Sequence, residues 1–154
     1  MSTTASAIRW FTPEMANKSL PLVGAILSDI RELDESVRER EFQIEQMMGE
    51  HGDSWDSPYQ DELSAMRRSL DSDRRRIREY ESELVALGVC IVEDDRTTIE
   101  FPAWVDNRAV RLSWTLGGIA VDRWREIGDP TSTRRDIDDV CFGEGPDIAL
   151  LGDL

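Results

Sequence analysis

Lysine is nearly absent from this chain. Lys18 is the only one among 18 basic side chains in 154 residues, against 32 acidic ones, for a formal net charge of −14. Affinity for nucleic acid rests on cations that neutralise phosphates, so this balance excludes a polyanion as partner. Histidine is as scarce. A histidine-based metal centre or a Ser-His-Asp triad would have to use His51, the only histidine, which stands in a connection remote from the other candidate groups. The two cysteines, Cys90 and Cys141, lie far apart and fit neither a CxxC nor a zinc spacing. They read as reduced thiols, Cys90 within a strand. No apolar run approaches the roughly 20 residues of a membrane span. The start, MSTTASAIRW, lacks the basic and apolar regions of a signal peptide. A cytoplasmic location without membrane contact is therefore expected. Gly117-Gly118 and Gly143-Glu144-Gly145 match neither a phosphate loop nor a dinucleotide fingerprint. No catalytic residue, cofactor or metal site is assigned.

What is present is periodic. Thr12 is a good N-cap and Pro13 a good first helical residue, with Glu14 at the positive end of the dipole. Ala16, Leu20, Val23, Leu27, Ile30, Leu33 and Val37 step by threes and fours, and Ile44 and Met47 continue the seam past Arg40, which predicts a helix over 13–50, with Pro21 inside it. Ser57-Pro58 restarts a helix over 58–87, along Leu63, Met66, Leu70, Ile77, Tyr80, Leu84 and Leu87, and Gly88 stops it. Two apolar stripes and a short connection predict an antiparallel helical hairpin. A tight connection would set Ile44 against Leu63, Val37 against Leu70 and Ile30 against Ile77. In that register Arg40 falls near Met66, and Asp73 near Leu33 and Asp34. Both polar residues are read as lying at the edge of the seam with their heads in water.

The second half alternates with a period of two. Val89 to Val92 reads as a first strand. Ile99, Phe101, Ala103 and Val105 alternate with Thr98, Glu100, Pro102 and Trp104. Beyond Asp106-Asn107, Val110, Leu112 and Trp114 alternate with Arg111, Ser113 and Thr115. This predicts two strands joined by a tight turn, with Pro102 at an edge or a bulge. Gly117-Gly118 permits a reversal, after which Ile119 to Trp124 returns as a third strand. The expected fold is α+β. A two-helix hairpin is followed by an antiparallel sheet of three to four strands over 89–127, making one domain over 8–137, with an acidic tail over 138–154.

The order of these features resembles the DUF2203 family, prokaryotic proteins of unknown function. Phe11-Thr12, Ala16-Asn17 and Leu20-Pro21 match its opening. Gly88 matches the glycine before its first strand, and Ile99-Glu100-Phe101-Pro102 its apolar-acid-Phe-Pro motif. Leu112-Ser113-Trp114, Leu116-Gly117-Gly118, Trp124-Arg125 and the late Arg134 or Arg135 follow in the family's order. Where the family tends to carry Cys, Glu and His, this chain has Ser113, Gly118 and Arg125. The resemblance therefore implies a fold, while the side chains best suited to metal binding or acid–base work are missing here.

The aromatic and charged residues of the sheet are the candidate ligand or partner surface: Glu100, Trp104, Arg111, Ser113, Trp114, Trp124, Arg125 and Arg134. Glu100 is expected to pair across strands with Arg111 or Arg125. The carboxylates Asp94, Asp95, Glu100 and Asp122 read as acidic surface more than as a cation site. Three functions are compatible with this pattern. The first is a non-enzymatic interaction or oligomerisation module, partnered by a second copy or another protein. The second is a small ligand-binding or enzyme domain, with Glu100, Ser113, Trp124 and Arg125 sharing a pocket between sheet and helices. The third is a cargo or adaptor protein acting through residues 146–154, which resemble the apolar cargo peptides of encapsulin shells.

Overall fold

The structure, a computed structural model, describes residues 9–51, 57–92, 96–129, 134–143 and 145. Helix α1 spans Pro13–His51 and α2 spans Ser57–Ala86. Thr12 caps α1 as expected: its Oγ1 accepts from the Met15 amide at 3.2 Å and its carbonyl from Ala16 at 2.9 Å. The helix runs on through Pro21. Gly88, at φ +86°, closes α2 in a Schellman arrangement, with Gly88 N–H donating to Val85 and Val89 N–H to Leu84. No helix among the described residues is long and apolar enough to cross a membrane.

Six strands among the described residues form one antiparallel sheet: β1 Cys90–Ile91, β2 Thr98–Val105, β3 Arg108–Thr115, β4 Arg123–Glu126, β5 Arg135–Asp136 and β6 Phe142–Gly143. Their order is β1-β2-β3-β4-β5, and β6 also pairs with β2. The α+β class holds, with more strands than the three to four expected. Asp106 and Asn107 take φ of +50° and +61°, as a two-residue hairpin turn requires, and Val105 pairs with Arg108. Pro102 meets its edge condition. It lies between the short partners β1 and β6, and its carbonyl accepts from Phe11 N–H at 2.7 Å.

The third strand begins later than expected. Ile119 is 99% exposed, and pairing starts only at Arg123. A tertiary contact holds this segment off the sheet: Val121 N–H donates to the Asn17 side chain at 2.7 Å rather than to a neighbouring strand. The Trp114 indole N–H also binds the Gly118 carbonyl at 2.9 Å.

Two compact units divide the chain. One contains residues up to 27 and from 83 onward. Its core combines Phe11, Val23, Leu27, Leu84 and Val89 with one face of the sheet: Ile99, Phe101, Ala103, Val110, Leu112 and Trp124. Phe11 and Phe101 meet with ring centroids 5.0 Å apart. Gly24 admits the Trp114 ring, since a Cβ there would lie 3.3 Å from it.

The other unit, residues 28–82, is a pair of helical segments that bury Ile30, Val37, Leu63, Leu70 and Ile77. The register within it corrects the expectation. Arg40 pairs with Asp73, Glu41 with Arg74 at 2.9 Å, and Ile44 shares a groove with Leu70 instead of facing Leu63. The slip is about two helical turns. It is invisible to hydrophobic matching, because both stripes repeat every seven residues and still coincide after the shift. Nor do the polar residues project into water. The Asp73 side chain is 16% exposed and bound by Arg40, so this ion pair distinguishes between the two registers.

Candidate functional site

One face of the sheet is apolar and the other is charged. Residues paired directly across strands share a face, so Glu100, Ser113 and Arg123 line up on the charged one, as do Pro102, Arg111 and Arg125. Glu100 is nonetheless buried, at 3% exposure, and Ser113 at 4%. A carboxylate this deep needs a partner. Arg125 supplies it from β4, reaching over β3: Nε donates to Oε2 at 2.6 Å and Nη2 to Oε1 at 2.7 Å. This fork-to-fork pairing is the strongest geometry open to arginine and carboxylate. The remaining Nη1 donates to the Asp129 carbonyl at 2.8 Å. Hydrogen bonding to Glu100 raises the Arg125 pKa above its ordinary value, although burial works against it, and the charges of Glu100 and Asp129 add to the rise.

Ser113 Oγ donates to Glu100 Oε2 at 3.2 Å and accepts from Arg134 Nε at 3.0 Å. Arg134 Nη2 lies 3.8 Å from Glu100 Oε2, an ionic distance beyond hydrogen-bond reach. Arg134 thus reaches Ser113 of β3 and Glu100 of β2. Beside it opens a cleft of about 710 Å³, whose lining includes Ser113, Thr115, Gly118, Asp122, Arg123 and Arg134.

The other candidates are placed elsewhere. Arg111 shares the charged face, and its Nη1 lies 3.9 Å from Cys90 Sγ. Trp104 packs edge-on against Trp10, centroids 5.1 Å apart. Trp114 and Trp124 are buried on the opposite, apolar face, at 6% and 2% exposure. Trp124 meets Phe142 and lies under Arg108 and Arg135. Glu100, Ser113 and Arg125 therefore do come together, but Trp124 is not with them. Both cysteines are free and exposed.

Among the described residues no group of three or more His, Cys, Asp or Glu is placed to hold a metal ion. Asp94 and Asp95 lie outside the described residues, as do the proposed docking residues 146–154. Both Glu100 oxygens accept hydrogen bonds from Arg125. Two further residues belong to this region. Arg123 carries no signal in the sequence beyond its place in a strand. Asn17 was visible only as half of the Ala16-Asn17 pair, and its role is to hold the loop beside this cleft.

No curated protein and no solved structure matches the chain. The family described as uncharacterized conserved protein (DUF2203) matches residues 9–137. That span runs from the lead-in of α1 to the 3-10 turn after β5 and takes in Asn17, Glu100, Ser113, Arg125 and Arg134, so this chain belongs to the DUF2203 family.

Proposed function

We propose that this protein is a non-enzymatic interaction module that pairs with a second copy of itself. The reading is carried by apolar side chains left in water on the first unit. Met15 and Leu22, one heptad apart on α1, are 41% and 55% exposed, and Ile119, in the loop tied to Asn17 of that helix, is 99% exposed. Apolar positions at heptad spacing suit a helix carrying the same stripe, and a second copy presents one by symmetry. Lys18 lies between Met15 and Leu22 as the only lysine of a chain with net charge −14, so an acidic copy offers it opposite charge. Glu100, with both oxygens held, adds no competing case for acid–base chemistry.

Light scattering at increasing protein concentration tests this. A discrete oligomer is expected, and Leu22→Ser combined with Ile119→Ser should return it to monomer with unchanged helix content. A monomer at every concentration would overturn the reading.

A further inference from the structure

Beyond self-association, we propose that the cleft at the end of β3 binds the oxyanion head of a small molecule, with Arg134 as its principal contact and Arg123 at its rim. Glu100 is a single buried carboxylate facing two guanidinium groups. Arg125 takes both of its oxygens, at 2.6 and 2.7 Å. Arg134 is left with an ionic contact at 3.8 Å, and among the described residues neither of its Nη atoms donates a hydrogen bond. Its side chain is only 23% exposed. A partly buried cation that shares its one carboxylate with a second guanidinium lacks a full counter-charge.

The fork is also positioned. Glu100 accepts the Ser113 hydroxyl proton, which turns a Ser113 lone pair toward Arg134 Nε at 3.0 Å. That bond fixes one edge of the guanidinium, and Arg134 lines the cleft. Arg123 lines the same cleft, and among the described residues it forms no ion pair. Asp122, also in the lining, brings negative charge to the rim and disfavours large or multiply charged ligands. The global charge of −14 disfavours polyanions for the same reason. What fits is a planar carboxylate or a single phosphate group on a small molecule.

The test is calorimetric titration of the full chain with inorganic phosphate and, separately, with acetate and succinate, at constant ionic strength set by chloride. Saturable binding of phosphate alone or of a carboxylate alone is expected, and which one binds identifies the source of the oxyanion. Arg134→Gln should weaken it by about tenfold or more, the loss of one charge-assisted contact. Arg134→Lys should restore part of it. Arg123→Gln, at an exposed position, should weaken it less and serves as the folded control should Arg134→Gln destabilise the sheet. Absence of saturable binding by any of these anions overturns the proposal, as does binding that survives both glutamine substitutions unchanged.

Discussion

Arg125 holds both oxygens of Glu100 from two strands away, at 2.6 and 2.7 Å, with β3 passing between their backbones. The pair couples β2 to β4 without a shared ladder, so its loss should loosen the whole sheet. Glu100→Gln leaves Arg125, 14% exposed, without its counter-charge. A stability loss of about 3 kcal/mol is expected in urea denaturation. The double substitution Glu100→Gln with Arg125→Met removes the stranded charge and should recover a large part of that loss. A double variant no better than the single would contradict the pairing as the cause.

The same pair sets a pH response. The Arg125 pKa is raised by Glu100. A cation whose folded pKa exceeds its unfolded one contributes stability that is complete below the unfolded value and is lost as pH climbs through the folded one. For arginine that window lies in strong alkali. The stability difference between wild type and Arg125→Met should therefore stay constant from about pH 7 to about pH 10. Denaturation midpoints measured across that range check it, and a difference that shrinks within it would place the stabilisation on another group.

Asn17 anchors the loop before β4. Its side-chain Oδ1 accepts from the backbone amide of Val121, a residue 1% exposed. Asn17→Ala strips a buried N–H of its partner and should cost about 1–2 kcal/mol. Asn17→Asp keeps the acceptor and should cost less. Hydrogen exchange at Val121 is the direct readout, with protection lost in the alanine variant and retained in the aspartate one.

The ion pair between Arg40 and Asp73 marks the helix register in the second unit. Arg40→Met should destabilise by about 1–2 kcal/mol, since Asp73 is then mostly buried and unpaired. With Cys90 and Cys141 replaced by serine, a cysteine pair at positions 44 and 70 should oxidise to a disulfide faster than one at positions 44 and 63. The reverse order of rates would restore the tight-turn register.

Much of this molecule can be read from local sequence. Thr12-Pro13 starts a helix and Gly88 ends one. Asp106-Asn107 turns a hairpin, and strict alternation sorts Phe101 and Leu112 from Glu100 and Ser113. Each of these rests on interactions within a few residues or on a repeat of two or 3.6, and such signals survive without tertiary context. The candidate site was legible as a list: Glu100, Ser113, Arg125 and Arg134 stood out as the polar members of a sheet, and the pairing of Glu100 with Arg125 was one of two options. That Arg134 closes on Ser113, and that Trp124 turns to the other face, were not readable. They depend on where β4 and β5 dock and on a loop tied by Asn17, contacts that span from 12 to about 100 residues of chain.

The helix register was lost for a different reason. Apolar stripes that recur every seven residues fit equally well after a slip of seven, so hydrophobic burial cannot separate the two alignments. Charge can, because Arg40 finds Asp73 in only one of them. Composition and periodicity alone thus determined which segments fold and which faces they bury. Position along those faces, and with it the surplus cation at Arg134, was decided only in three dimensions, where a buried charge must find its partner from a distant part of the chain.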